Sequence, residues 1–347
     1  MTLSPRLLAL ATAVPRHRLR QEEVAGMAIS LFDREASDIE RMLPVFAHAG
    51  IASRYSCVPL DWYLRPHGWR ERTALYIEHA VDLLTEAAEA CLARAKTSRD
   101  EIGGIVVVST TGIATPSLDA LVMERLSLPR DLMRLPIFGL GCVGGVMGLS
   151  HAAGMARALA GRPVLLLVVE LCALTFRFGD NSKSNIVAAA LFGDGAAAAL
   201  IGHGEGPILG PGGAHTWAGS LDIMGWRAED DGLGVMFSRD IPALVREQLR
   251  PAADDFLARH GLSPSQLAGI VCHPGGIKVL DALEAAFDLP AGAMTAAREV
   301  LRDYGNMSAA TVLFVLERLM AGGLAGRYLV SALGPGFTAG FQMLEAR

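Results

Sequence analysis

Leu92-Ala93-Arg94-Ala95-Lys96-Thr97-Ser98-Arg99-Asp100-Glu101-Ile102-Gly103-Gly104-Ile105-Val106 returns 165 positions later as Leu257-Ala258-Arg259-His260-Gly261-Leu262-Ser263-Pro264-Ser265-Gln266-Leu267-Ala268-Gly269-Ile270-Val271. Seven of the fifteen positions are identical without a gap. Leu159-Ala160-Gly161-Arg162 then recurs as Leu324-Ala325-Gly326-Arg327, again displaced by 165. One offset shared by two separate segments marks a duplicated chain, and a repeat of this kind decides the architecture before any local pattern does.

Outward from the repeat, each half reads helix, strand, helix, strand. Helices at 75–95 and 241–259 lead into β-branched strands at 105–109 and 270–272, and helices at 144–160 and 308–320 lead into strands at 164–170 and 328–333. Such alternation predicts α/β layers. The second helix of each half is apolar on almost every side, the pattern of a helix buried all round. Two of them back to back predict five layers, αβαβα, with a pseudo-two-fold axis relating residues 1–205 to residues 206–347. The residues that open these helices, near Cys142 and Asn306, should then face a common centre.

Residues 171–190 have no counterpart in the second half and are expected to cover one end of the sheets. Phe192-Gly193-Asp194-Gly195 and Gly334-Pro335-Gly336-Phe337 read as glycine turns between antiparallel strands. The apolar start after Arg6 imitates a signal peptide, but its core is at the short end of that range, and a first buried strand is the better reading.

Apolar residues make up 51% of the 347 and charged ones 19%, which excludes disorder and leaves apolar surface for a subunit interface to absorb. A net charge of −5 without any Lys/Arg-rich run argues against nucleic acid. The only lysines are Lys96, Lys183 and Lys278. Cys57, Cys91, Cys142, Cys172 and Cys272 form no CxxC pair, so neither a disulfide framework nor a metal site is expected, and the setting is reducing and cytoplasmic. No apolar run reaches the roughly 18–20 residues of a membrane span.

Gly139-Leu140-Gly141-Cys142-Val143-Gly144-Gly145 matches GxGxxG, so a dinucleotide-binding module is one reading. It lies mid-chain, however, whereas that fingerprint belongs in a first βαβ unit. The cysteine within it is more telling, because unpaired N–H groups and the dipole at a helix start favour thiolate. Cys142 is therefore expected to have a lowered pKa, whereas the other four read as small buried hydrophobes. His273 follows a core strand of the opposite half and opens His273-Pro274-Gly275-Gly276. Asn306 stands next to the repeat position of Cys142.

With these residues in view, the chain resembles the type III polyketide synthases, the chalcone and stilbene synthase family on the thiolase fold. The resemblance rests on Gly141-Cys142-x-Gly144-Gly145, Glu170 with Thr175-Phe176, Leu191-Phe192-Gly193-Asp194-Gly195-Ala196-Ala197, His273-Pro274-Gly275-Gly276, Tyr304-Gly305-Asn306-Met307-Ser308 and Gly334-Pro335-Gly336, in family order. It implies a homodimer with a Cys142–His273–Asn306 site in each subunit, CoA thioesters as substrates and no bound cofactor. Phe192 would be a gate between CoA tunnel and cavity, with Thr110, Thr111, Thr115, Glu170, Thr175, Val235 and Pro335 lining the chain-growth space. Arg41, His48 and Lys278 would meet the CoA phosphates, and a solvated surface role is the alternative for each.

Val235 stands where chalcone-type members carry a second gate phenylalanine, and Thr115 where they carry methionine. These smaller residues predict a fatty acyl-CoA starter in an apolar tunnel beginning at Thr111 and Thr115 and walled by Leu118, Val122 and Cys172. Extension by malonyl-CoA and closure to a pyrone or resorcinol-type product would follow. The nearest enzyme alternative is a single-condensation 3-ketoacyl synthase served by acyl carrier protein.

Overall fold

A computed structural model describes residues 4–32, 43–159 and 161–346. In the first half the strands are β1 (Arg6–Ala13), β2 (His17–Arg20), β3 (Ser53–Ser56), β4 (Gly104–Val108), β5 (Met133–Ile137), β6 (Val164–Leu171) and β7 (Asp194–Gly202). In the second they are β8 (Ile208–Thr216), β9 (Met224–Glu229), β10 (Gly232–Phe237), β11 (Gly269–Cys272), β12 (Gly326–Gly334) and β13 (Thr338–Ala346).

The duplication is visible in the strand pairing. β4 runs parallel to β6 from Gly104↔Val164, and β11 runs parallel to β12 from Gly269↔Tyr328. β6 pairs antiparallel with β7 as β12 does with β13. The two half-sheets join at their inner edges through Arg6↔Ile208, giving one nine-stranded sheet of order β11-β12-β13-β8-β1-β7-β6-β4-β5 rather than two separate ones.

The central strands of the first half are apolar at every position because they are covered on both faces. Val106, Val108, Val164, Leu166 and Val168 point into the inner core, whereas Ile105, Val107, Leu165, Leu167 and Val169 point into the outer one. The outer face is covered by the Trp69–Ala95 and Leu118–Leu126 helices. Helices Gly144–Ala158 and Thr311–Ala321 pack on each other between the half-sheets, and the helical run 241–259 lies outside β8 and β13. The layers are therefore αβαβα, a mixed α/β thiolase-like fold.

One expected turn is absent. Gly334-Pro335-Gly336-Phe337 does link the antiparallel β12 and β13, but β6 and β7 are separated by the insertion, which forms a turn at Cys172–Thr175 and the Lys183–Leu191 helix. Phe192 and Gly193 instead bridge to Asn306, so the insertion ends against the second half.

Candidate active site

A cavity of about 620 Å³ lies where the two central helices begin, and Cys142, His273 and Asn306 all line it. Cys142 sits in the turn Gly141–Val143 that leads into the Gly144–Ala158 helix. Gly141 has φ +51°, and a Cβ there would come within 2.7 Å of Pro335 Cδ, so only glycine suits this turn. Its N–H donates to Thr110 Oγ1 at 3.0 Å. Two residues past the cysteine turn, a Cβ on Gly145 would run into the Ala309 carbonyl, so the close approach of the two helix starts requires this glycine too. These glycines serve protein packing, which sets aside the dinucleotide reading.

His273 continues β11 by one residue, its N–H donating to the Ser331 carbonyl at 3.0 Å. The turn after it brings Gly275 N–H back to the His273 carbonyl at 3.1 Å, releasing the imidazole towards the cavity. Asn306 is clamped by its backbone, donating to Leu191 O at 2.8 Å and accepting from Gly193 N at 3.0 Å. Its Oδ1 accepts from Ser308 N at 2.8 Å and its Nδ2 donates to Gly275 O at 3.2 Å. The amide is thus fixed with its donor end towards His273's turn, and one N–H remains for a ligand.

The electrostatics differ from the expectation for a helix-start cysteine. Burial pushes the Cys142 thiol up to about 12, only partly offset by a contact with the Ser308 hydroxyl. Burial likewise holds His273 down at about 3, and neither imidazole nitrogen has a hydrogen-bond partner among the described residues. Desolvation outweighs the helix start here, because a lone ion in a dry pocket loses its hydration with nothing in exchange. Burial thus favours the neutral form of both groups, a thiol and an uncharged imidazole lining one cavity.

The remaining expected site residues are dispersed. Glu170 is fully buried, and its Oε2 accepts from Thr110 N at 3.0 Å, Thr111 N at 3.1 Å and Thr111 Oγ1 at 2.8 Å. These three residues form a knot beneath the cavity rather than an open wall. Thr175 donates to the Cys172 carbonyl at 2.6 Å and lines a separate small pocket shared with Phe192. Val235 packs against the buried cluster of Cys172, Ala188 and Phe192. Pro335 lies behind the Cys142 turn against Gly141.

Thr115 is exposed, and Leu118 and Val122 belong to the outer core, so the tunnel expected from Thr111 and Thr115 is not formed within one protomer. Of the basic residues, His48 and Lys278 line the cavity, whereas Arg41 lies outside the described residues. Lys183 and Arg239 line it too and were missed, although Lys183 and Lys278 are two of the chain's three lysines. All four cavity-lining basic residues are exposed while Cys142, His273 and Asn306 are buried, so basic side chains stand at the mouth and the thiol, imidazole and amide on the floor.

A duplicated α/β chain with a buried Cys, His and Asn brought together by both halves is a condensing enzyme of the thiolase-like class. Residues 63–205 match the model for the N-terminal domain of chalcone and stilbene synthases, and residues 218–343 match that for the C-terminal domain. The chain is 36% identical to a putative chalcone synthase of Bacillus subtilis (strain 168), with 96% of each chain covered. It is also 36% identical to 1,3,6,8-tetrahydroxynaphthalene synthase of Streptomyces peucetius subsp. caesius, covering 97% of this chain and 92% of the relative. The crystal structure of 1,3,6,8-tetrahydroxynaphthalene synthase from Streptomyces coelicolor A3(2) superposes with a TM-score of 0.93 at 26% identity, over 99% of this chain and 100% of that one. The chain belongs to the chalcone and stilbene synthase family, the type III polyketide synthases, which are acyl-transferring condensing enzymes.

Proposed function

We propose that the protein loads a fatty acyl group from CoA onto Cys142, extends it with malonyl-CoA, and releases a pyrone or resorcinol-type product. The observation that carries this reading is one cavity with Cys142, His273 and Asn306 on its floor and His48, Lys183, Arg239 and Lys278 at its mouth. Apolar side chains between the two, among them Val187, Leu191, Met224 and Ile277, suit a thioester arm and an alkyl chain.

In the loading step Cys142 Sγ gives its proton to His273 and attacks the thioester carbon, and the CoA sulfur leaves. Malonyl-CoA then occupies the same cavity. Its C–C bond to the carboxylate breaks, CO₂ departs, and the electron pair passes into an enolate whose oxygen accepts from His273 and the free N–H of Asn306. The enolate carbon bonds to the acyl carbon as the C–S bond to Cys142 breaks, which returns the sulfur and leaves the lengthened chain on CoA. Transfer back to Cys142 begins the next round.

The reading includes a homodimer. β5 is the end strand of the sheet, and Met133 on it, Phe138 just past it and Ile113 in the segment that follows the neighbouring β4 are exposed large apolar side chains. A second copy covering this edge would remove both liabilities. A cytoplasmic setting agrees with five free, buried cysteines. Among the described residues no helix is long and apolar enough to cross a membrane.

The relative from Streptomyces peucetius, a 1,3,6,8-tetrahydroxynaphthalene synthase, favours a second reading, in which the product is a tetrahydroxynaphthalene and malonyl-CoA serves as starter as well as extender. Mass spectrometry of products from acetyl-, hexanoyl-, lauroyl- and coumaroyl-CoA, each with malonyl-CoA, and from malonyl-CoA alone separates the two. Preference for lauroyl-CoA supports the fatty acyl reading, and full product from malonyl-CoA alone replaces it. Cys142→Ala should abolish every product, and a variant that still makes them would sink the mechanism.

A further inference from the structure

We infer that Arg54 is a positioning residue for the condensation, holding Asn306 in place by capping the end of the insertion helix against which Asn306 is clamped. The inference rests on the proposed polyketide synthase reading and adds to it a residue outside the lining of the Cys142 cavity that acts through Asn306.

A helix ends with four carbonyls that no further turn of its own can satisfy. In the Lys183–Leu191 helix they belong to Ala188, Ala189, Ala190 and Leu191. Phe192 N donates to Ala188 O at 2.8 Å, Arg54 Nη1 to Ala189 O at 2.6 Å, Gln21 Nε2 to Ala190 O at 3.0 Å, and Asn306 N to Leu191 O at 2.8 Å. The backbone of Asn306 is therefore itself one of the four caps, and Arg54 is another. The same Nη1 also donates to Phe192 O at 3.1 Å, while Nη2 donates to Gln21 Oε1. Burial lowers the Arg54 guanidinium to about 10, which leaves it charged at neutral pH and sets a cation at the negative end of the helix.

β3 grips the residues before Asn306 as well. Ser53 Oγ donates to Asp303 O at 3.2 Å, and the Tyr55 ring stacks on that of Tyr304 at 5.8 Å. Arg54, between them, lies on the seam where the two segments meet: a Cβ on Gly193 would come within 3.2 Å of Arg54 Cβ, and one on Gly305 within 3.3 Å. Because Arg54 is buried, a side chain without donors in its place leaves the carbonyls of Ala189 and Phe192 unpaired. Those carbonyls flank Leu191 O and Gly193 N, the two backbone groups that hold Asn306. A segment that shifts to find new partners carries Asn306 with it, and the N–H meant for the enolate oxygen moves off line. Among the described residues Arg54 makes no hydrogen bond to the Cys142 turn or to β11, so loading of Cys142 is spared.

The test is a double-mutant cycle with two readouts, malonyl-CoA decarboxylation and acylation of Cys142 by an acyl-CoA followed by intact mass. Arg54→Met, which keeps an unbranched apolar stem but has no donors, should lower kcat for decarboxylation about 10- to 100-fold, the scale of a group displaced by about 1 Å, with KM and acylation changed by less than about threefold. In an Asn306→Ala background Arg54→Met should cost decarboxylation nothing more, because it acts through the amide already removed. Arg54→Lys, whose single nitrogen can meet both carbonyls as Nη1 does, should restore most of the lost rate. An unchanged rate in Arg54→Met, a change in KM alone, equal losses in decarboxylation and acylation, losses that multiply in the double variant, or no recovery with Lys each overturns the inference. If Arg54→Met does not fold, Gln21→Ala, which frees Ala190 O and removes a partner of Arg54, goes through the same cycle. A folded Gln21→Ala enzyme that decarboxylates at the wild-type rate, or whose loss is shared by acylation or multiplies with Asn306→Ala, overturns it as well. Wild-type enzyme that does not decarboxylate malonyl-CoA, or an Asn306→Ala enzyme that does so at the wild-type rate, refutes the underlying reading instead, so the two failures are distinct.

Discussion

The ends of β4 and β11 are equivalent by the repeat, yet the molecule uses them in opposite ways. The position of His273 corresponds to Val108, and both strands deliver the next residues to the centre between the half-sheets. After β4, the N–H groups of Thr110 and Thr111 and the Thr111 hydroxyl are all engaged by Glu170, and the Thr110 hydroxyl accepts from Gly141. After β11, the imidazole of His273 is buried with both nitrogens unpartnered among the described residues. Duplication fixes where a strand end points and leaves open what it presents. The saturated end holds the Cys142 turn in place, whereas the imidazole at the other end is the group that the proposed mechanism gives to the substrate oxygen.

The largest test of this contrast removes the second half's other donor. Asn306→Ala should lower malonyl-CoA decarboxylation by about 10²–10³, the usual cost of one lost oxyanion donor. Acylation of Cys142, followed by intact mass after mixing with an acyl-CoA, should fall much less, because the enolate oxygen does not exist in that step. Equal losses in both would mean that Asn306 only holds the Gly275 turn, and the contrast between the two ends would lose its meaning.

The saturated end is tested by pH. Burial pushes Glu170 up to about 7 from its usual 4.5, against the opposing hydrogen bonds from Thr110 and Thr111. A carboxyl raised on folding makes the folded chain bind more protons than the unfolded one. Its contribution is therefore complete below about pH 4.5 and is lost as pH rises through about 7. The shift corresponds to about 3 kcal/mol of stability. Gln in place of Glu170 stays neutral and still accepts from both N–H groups, so urea unfolding at pH 5 and pH 8 should differ less for Glu170→Gln than for wild type. Asp194, also pushed up to about 7 by burial, remains in both proteins and drops out of the comparison. The same pH dependence in both would show Glu170 to be ionised in the knot.

What was legible in the sequence follows from the same asymmetry. A repeated offset and two helices apolar on almost every side are properties of the chain itself, so the layers and the meeting of Cys142 with Asn306 could be read directly, whereas burial of the helices all round was overstated: His151, Gly154 and Arg157 are exposed on the first, and the second is only half-buried from Glu317 to Met320. The contact between Trp226 and Phe192 could not be. Trp226 faces Phe192 only through the register of β9 on β10, and a slip of one residue would turn it to the other face. Thr115 was expected in the cavity because the resemblance puts it where chalcone-type members carry methionine, but here it is exposed. The expected thiolate failed for a related reason: a helix start shows in the sequence, whereas the depth at which Cys142 is buried does not.

The smallest effect concerns the mouth, where the halves contribute alike. Lys183 stands at the start of the insertion helix of the first half, and Lys278 in the Ile277–Ala286 helix of the second. Both are exposed and both line the cavity, so each can meet a phosphate of CoA only through solvent-screened attraction. Exposed pairs of this kind contribute about 0.2–1 kcal/mol, so each Lys→Ala change should raise KM for the CoA thioester by roughly 1.5- to 5-fold. The two changes should multiply, as expected for cations on separate elements without a shared partner. Raising ionic strength from 50 to 500 mM, at which the Debye length falls from above 10 Å to only several Å, should increase the wild-type KM and shrink the gap to both variants. A cation holding the thioester itself would behave differently, lowering kcat and keeping its effect in salt. If only Lys278→Ala moves KM, the mouth belongs to the second half alone, and the insertion of the first half serves to carry Phe192 rather than to receive CoA.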